Sequence, residues 1–371
     1  MDIAELQRRL RPALIPMGAL YGQALRLRRW TFESGRLSQW RPNCPVVSVG
    51  NIGWGGSGKT PLCGHILRWA GKREEHAIVL TRGYGAKPHR LPLLVTRTEN
   101  PASCGDEPLL LARSHPLARV VVDPRRSRSG PWAYERFDPD FVLLDDGFQH
   151  LPVARDIDLV LLTPTDLGAG WNRVCPAGTW REGEAALSRA SAFCIKTPPP
   201  GGPDQDNGPT GLADAIRRRL EGFGKPVFTF FLKPKGLMRV DGTVRAADLG
   251  GEDYVLATGI ADPAQAAKTA EMLLGRAPAA VLPFADHHAF SSQDLLRIQT
   301  AASASGGHVV VTAKDAVKLA KLPGAEGFWV LRTELAFGPD FFAPAPFDDW
   351  FAARFDELAA HYRPLAAREH I

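Results

Sequence analysis

Pro45-Val46-Val47-Ser48-Val49-Gly50-Asn51-Ile52-Gly53-Trp54-Gly55-Gly56-Ser57-Gly58-Lys59-Thr60-Pro61 decides the reading of this chain. Its centre, Gly53 to Thr60, fits Gly-x-x-x-x-Gly-Lys-Thr, the phosphate-binding loop pattern. The residues before it, Pro45 to Gly50, read as a short buried strand. Those after it, Pro61 to Ala70, read as a helix with Pro61 in its first turn, where a missing N–H costs nothing. Glycines such as Gly53, Gly55, Gly56 and Gly58 let consecutive backbone N–H groups turn inward around phosphate oxygens, with Ser57 among them. The helix start adds positive potential. In such a loop Lys59 reaches the β- and γ-phosphates and the Thr60 hydroxyl ligates Mg²⁺.

A second stretch supports the first. Phe141-Val142-Leu143-Leu144 is an apolar run that ends in Asp145-Asp146-Gly147. A strand delivering acids to the sheet edge beside a nucleotide's Mg²⁺ is the Walker-B arrangement. Together the two stretches point to nucleotide hydrolysis or phosphoryl transfer.

Further apolar runs recur with helical spacers: Ala77–Leu80, Arg119–Val122, Leu159–Leu162 and Ala192–Ile195. The alternation predicts an α/β fold, a P-loop parallel sheet with helices on both faces. Ligands of such sheets lie beyond the carboxyl ends of the strands. Residues 197–210 form a Pro/Gly-rich loop. Beyond it, Val227–Phe231 and strands near Val255–Ala257, Ala279–Leu282, Val309–Thr312 and Trp329–Leu331 predict a second, smaller α/β domain. The tail Asp348–Arg363 reads as an amphipathic helix.

At 371 residues the chain is long enough for two domains. Its five cysteines are scattered, with no Cys-x-x-Cys pair, which excludes a disulfide framework and a zinc site. The net charge is +5, and residues 1–41 account for it, with eight arginines against three acids. A basic, apolar N-terminal segment suits a membrane surface better than nucleic acid. Pro12–Leu25 is too short to span a bilayer, Pro16 and Gly18 interrupt it, and it lacks a signal-peptide cleavage pattern. A helix packed on the protein's own core fits the same pattern.

Four other clusters carry polar groups that could do chemistry. In Gly105-Asp106-Glu107-Pro108, Asp106 is either a helix cap or a general base. Asp286-His287-His288 is a metal cluster, a catalytic imidazole or a loop. Asp315 in Thr312-Ala313-Lys314-Asp315 reads as a cap, and this stretch is not the guanine-reading Asn-Lys-x-Asp. Arg181-Glu182 offers a phosphate-binding guanidinium and a Mg²⁺ carboxylate, or a solvated helix start. Arg82, Arg125, Arg126 and Arg181 fall on the nucleotide-site rim, as groups to grip an acceptor phosphate.

Taken in order, these pieces resemble the tetraacyldisaccharide 4′-kinases. The resemblance rests on Leu14-Ile15-Pro16 to Leu20-Tyr21-Gly22, Val49-Gly50-Asn51 with the P-loop, Arg82-Gly83-Tyr84-Gly85, and Gly105-Asp106-Glu107-Pro108. It continues through Asp145-Asp146-Gly147-Phe148-Gln149-His150, Pro176-Ala177-Gly178 with Arg181-Glu182, Gly259-Ile260 with Pro263, Phe284 with Asp286-His287, and Lys314–Leu319. The chain departs from the family at Ala313, at Thr179-Trp180 and in the expanded loop 197–210.

The resemblance implies transfer of the ATP γ-phosphate to the 4′-hydroxyl of an acylated glucosamine disaccharide 1-phosphate. It implies a peripheral enzyme on the cytoplasmic face of the bacterial inner membrane, with no nucleic acid and no obligate protein partner. Under it Asp106 is the general base and His287 its partner, reaching over from the second domain. Thr60, Asp145, Asp146 and Glu182 are candidates around Mg²⁺. It also implies a P-loop domain over residues 1–225 and a smaller domain over 226–339, joined by two strands. The C-terminal helix, 340–371, returns to the first, and the N-terminal segment becomes a membrane contact and acyl-chain platform. The alternatives are a P-loop switch or metallochaperone-type ATPase with a protein partner, and an Asp-His-His metal phosphoesterase.

Overall fold

The computed structural model describes residues 3–199 and 209–366. The middle of the Pro/Gly-rich loop lies outside the described residues. Contacts divide the chain into two units. The first comprises 1–82, 117–231 and 337–371, and the second 83–116 and 232–336.

The first unit is built on a parallel sheet. Its strands run in the order Val227–Arg239, Ala192–Lys196, Ile157–Leu162, Val46–Asn51, Phe141–Asp145, Ala77–Thr81 and Ala118–Val122. Val46–Asn51 is buried along its whole length, which its near-continuous apolar run requires of a central parallel strand. It pairs in parallel with Phe141–Asp145 on one side, Val49 opposite Asp145, and with Ile157–Leu162 on the other. That register brings the loop after Asn51 and the acids after Leu144 to one end of the sheet.

The P-loop helix, Lys59–Lys72, buries Leu62, Cys63, Ile66, Leu67 and Ala70, the spacing of one helical face. The last helix, Phe347–Ala366, packs within this unit. Its Phe347, Phe351 and Phe355 recur every four residues and are fully buried. Phe351 and Phe355 meet the Trp69 ring edge-on at 5.0 Å, and Phe355 meets Phe141 at 5.3 Å. Rings of this size at such separations add to the burial term.

The first helix runs unbroken from Ile3 to Glu33 and stays helical through Pro16 and Gly18, where the sequence suggested an interruption. Gly18 and Gly22 are its buried points. A Cβ on Gly18 would stand 2.9 Å from the Val174 carbonyl oxygen, so only glycine allows this approach. Ile15, Met17, Leu20, Leu27 and Trp30 are exposed, Leu20 at 74%. Among the described residues no helix is long and apolar enough to cross a membrane.

In the second unit the parallel strands Ala280–Pro283, Tyr254–Thr258, His308–Thr312 and Trp329 onward are flanked by the helices Pro263–Leu274 and Ser292–Ser305. The chain passes between units along Val227–Arg239 and Trp329–Phe341, two 13-residue strands that neighbour each other in the sheet. Residues 83–116, which the sequence reading kept with the P-loop, cluster instead with the second unit. Their helix Asp106–Ser114 packs against the helix Ala313–Leu319, about 200 residues away in the chain.

Candidate active site

The phosphate loop is shaped by its glycines. Gly55 and Gly58 have φ of 120° and 91°, a region that side chains rarely enter. A Cβ on Gly58 would also stand 2.9 Å from the Phe230 ring. The loop is stitched to a second segment: Trp54 N–H donates to the Thr179 carbonyl at 2.9 Å, and Arg181 N–H to the Ile52 carbonyl at 2.7 Å. The Trp180 indole, fully buried, donates to Asp166 at 2.9 Å. Thr179-Trp180, the departure from the family pattern, is thus a wall of the loop.

Lys59 Nζ donates to Asn51 Oδ1 at 3.1 Å and lies 3.5 Å from Asp146. Arg181 donates to both oxygens of Asp146, at 2.8 and 2.9 Å. Gln149 donates to the Asn51 carbonyl at 2.9 Å. Asp146 has φ 54°, so the chain leaves strand geometry there and its carboxylate turns to Lys59 and Arg181. Burial pushes the Asp146 carboxyl up, but Lys59 and Arg181 outweigh it and hold the group below its usual range. Asp145, 4% exposed, accepts from Thr81 Oγ1 at 2.9 Å and from the Cys63 thiol at 3.8 Å.

Two of the four rim arginines are therefore structural. Arg181 is engaged by Asp146. Arg126 is 5% exposed and donates to the Asp145 and Asp146 carbonyls at 2.9 and 2.8 Å, which pins the acidic turn. Burial lowers its pKa to about 10. Arg82 and Arg125 remain exposed. Glu182 also departs from the Mg²⁺ reading: both its oxygens accept from Arg189, at 2.9 and 3.2 Å.

Mg²⁺ takes few protein ligands, usually one or two carboxylates beside phosphate oxygens and waters. Thr60 and the Asp145-Asp146 pair supply that kind of hard oxygen donor at the end of the sheet. The Ser57 hydroxyl, 3% exposed, has no protein partner. A polar atom buried in a glycine loop without a partner suits a phosphate oxygen. The residues fit a Mg²⁺–nucleotide.

In the second unit, Asp106 opens the helix Asp106–Ser114, but the cap is Gly105, with φ 92° and no side-chain bond to the helix start. The capping reading of Asp106 is thus overturned. Its Oδ2 lies 3.3 Å from His287 Nδ1 and 3.6 Å from Lys318 Nζ. His287 has φ 60°, and its Nε2 lies 3.2 Å from Lys314 Nζ. An ammonium can only donate, so Nε2 accepts and Nδ1 carries the proton that it donates to Asp106. The Tyr84 ring lies 5.9 Å from the imidazole. Asp106 and His287 thus belong to one unit rather than to two.

His288 goes elsewhere, to Asp294 at 3.1 Å. Among the described residues no group of three or more His, Cys, Asp or Glu could hold a metal ion. Asp286-His287-His288 does not converge on a metal. Asp315 is not a cap either: Thr312 caps that helix, and Asp315 follows at its third position. The sequence reading passed over Asn51, Gln149, Thr81 and Lys318. Three of these stood in motifs quoted for the resemblance, which was the signal available.

A strand, a glycine loop with lysine, and a strand-end acid pair define a P-loop nucleotide-binding protein. Comparison with known proteins then specifies which. The pattern of the tetraacyldisaccharide-1-P 4′-kinases, LpxK, matches residues 10–352. The tetraacyldisaccharide 4′-kinase of Oleidesulfovibrio alaskensis is 48% identical over 367 residues, 97% of this chain and 99% of that protein. That of Nitratidesulfovibrio vulgaris is 44% identical over 359 residues, 97% and 98% of the two chains. The crystal structure of LpxK from Aquifex aeolicus in complex with ATP superposes with a TM-score of 0.71 at 26% identity, covering 93% of this chain and 99% of that one. The chain belongs to the tetraacyldisaccharide 4′-kinase family, ATP-dependent kinases of lipid A biosynthesis. The switch-ATPase alternative falls away.

Proposed function

We propose that this chain phosphorylates the 4′-hydroxyl of an acylated glucosamine disaccharide 1-phosphate at a membrane surface, with Asp106 as general base. The observation that carries the base assignment is the Asp106 carboxylate itself. It is 8% exposed, is not used by its own helix, and is oriented by His287 Nδ1–H. Asp106 takes the hydroxyl proton as the acceptor oxygen bonds to the γ-phosphorus, and ADP leaves with the bridging electron pair. Lys59 stabilises charge on the transferring phosphoryl group, and the P-loop N–H groups and Ser57 hold the phosphates. Thr60 with Asp145 or Asp146 would hold Mg²⁺, which neutralises phosphate charge when bound.

The membrane part of the proposal is supported by the first helix, where exposed Ile15, Met17, Leu20, Leu27 and Trp30 accompany the excess of arginine. On this reading the enzyme is peripheral, on the cytoplasmic face of the inner membrane, and acts on its acceptor without nucleic acid or an obligate protein partner. The test is to incubate the protein with Mg²⁺-ATP and either acylated or deacylated disaccharide 1-phosphate in mixed micelles, and to read products by mass. The acylated acceptor should gain one phosphoryl group and strongly stimulate ATP use. Equal use of the deacylated sugar refutes the surface reading, and no stimulation by either refutes the acceptor.

A further inference from the structure

We infer that Lys318 is a positioning residue for phosphoryl transfer: its buried ammonium, held between Asp106 and Asp315, aims the Asp106 carboxylate, and Asp315 sets how much of that charge Asp106 feels. This rests on the reading of Asp106 as the base.

The Lys318 side chain is 7% exposed. Its Nζ lies 3.1 Å from Asp315 Oδ1, 3.6 Å from Asp106 Oδ2, and 5.2 Å over the Phe290 ring. A buried ammonium beside two carboxylates is retained only where its charge is matched. Asp315 is the fixed partner. It is fully buried, and its Oδ2 accepts from Thr258 Oγ1, Gly259 N–H and Thr312 Oγ1 at 3.0, 3.1 and 2.7 Å. Lys318 follows Asp315 by three residues on the helix Ala313–Leu319, so one turn delivers the ammonium from the anchored acid towards Asp106.

The other charged and titratable groups around this cluster do not replace Lys318. Lys314 lies against His287, Asp286 and Glu107, at 3.2, 3.0 and 3.5 Å. Burial pushes the nearby Cys104 thiol up to about 12, so it is uncharged at neutral pH. His287, with Nδ1 on Asp106 and Lys314 at Nε2, orients Asp106. The cation nearest to Asp106, and the one buried with it, is therefore Lys318.

The signs of the two substitutions are opposed. Removing Lys318 takes away a charge that favours carboxylate, so Asp106 should hold its proton to higher pH. Neutralising Asp315 leaves the ammonium uncompensated, and Asp106 should lose its proton at lower pH. An opposite charge within about 4–6 Å typically moves a carboxyl by one to three units.

The experiment measures kcat against pH for the wild type, Lys318→Met, Lys318→Arg, Asp315→Asn and Asp106→Ala, each checked by circular dichroism and thermal melting. Lys318→Met should move the acid limb up by roughly one to three pH units, Lys318→Arg should restore it, and Asp315→Asn should move it down. Coincident acid limbs, or shifts of Lys318→Met and Asp315→Asn in the same direction, overturn the proposal. If Lys318→Met does not fold, Lys318→Arg and Asp315→Asn still decide it, and an unmoved limb in Asp315→Asn refutes it. Asp106→Ala separates the two levels: it should cost about 10²–10⁴ in kcat, and near-normal turnover would refute the base assignment itself.

Discussion

Replacing His150 with glutamine should flatten the pH dependence of stability on the acid side. His150 closes the Asp-Asp-Gly-Phe-Gln-His stretch, and its Nε2 is buried without a partner. Burial, and then the charges of Arg126, Arg155, Arg28 and Arg82, lower its pKa from 6.5 to about 3. The unfolded chain therefore binds this proton between those values while the folded chain does not. The contribution is fully present above pH 6.5 and is lost as the pH falls towards 3. At 1.36 kcal/mol per unit, moving from pH 7 to pH 5 removes about 2 kcal/mol. Glutamine is polar and does not titrate, so the variant would be free of this loss. The depressed carboxyls of Asp146 and Asp348 respond mainly at lower pH and are common to both proteins. Urea denaturation at about pH 7, 6 and 5, followed by tryptophan fluorescence, should show the wild type losing about 2 kcal/mol more than His150→Gln. Parallel losses in the two proteins would show that the imidazole takes up its proton in the folded state, and the reasoning about the arginine cluster would be wrong.

Lys59→Ala should lower kcat by at least about 10²–10³ with the circular dichroism spectrum unchanged. A folded variant with near-normal kcat would remove the loop from the mechanism. Leu20→Glu combined with Leu27→Glu should weaken sedimentation with anionic liposomes while ATP binding, read by a fluorescent analogue, is preserved. Both side chains are exposed, at 74% and 61%, so the fold has little to lose; unchanged liposome binding would exclude the helix as the contact.

The strands and the phosphate loop were legible because each depends on local pattern. Val46–Asn51 is apolar throughout most of its length and the glycines after it permit one kind of turn. What was not legible depended on long-range partners. Residues 83–116 lie in the chain between the first-unit strands Ala77–Thr81 and Ala118–Val122, so chain order assigns them to it, yet the Asp106–Ser114 helix packs on Ala313–Leu319. Arg126 and Arg181 resembled ligand-binding arginines from residue type alone. Only the fold shows that Asp146 and two backbone carbonyls occupy them. Pro16 and Gly18 suggested a broken helix, although the chain remains helical through both.

Asp106 shows most clearly why residue type and position do not separate a cap from a catalytic acid. Four aspartates of the second unit stand at or near helix starts. Asp262 is the cap of Pro263–Leu274 and accepts from Gln265 N–H. Asp294 completes a reciprocal capping box with Ser291. Asp315 donates its N–H to the Thr312 cap while its carboxylate binds Thr258 and Gly259. Each of these bonds satisfies a group that burial would otherwise penalise. Asp106 is the exception. Gly105 makes the turn with a φ of 92° and contributes no side chain, and the Asp106 carboxylate meets His287 and Lys318 instead. A helix start favours a carboxylate by its dipole whether or not the carboxylate caps it. The fold therefore sets a cation and a helix start beside the Asp106 carboxylate without occupying its oxygens with the helix N–H groups. A carboxylate proposed as the base, which must reach a hydroxyl proton, needs oxygens left free of the helix in this way.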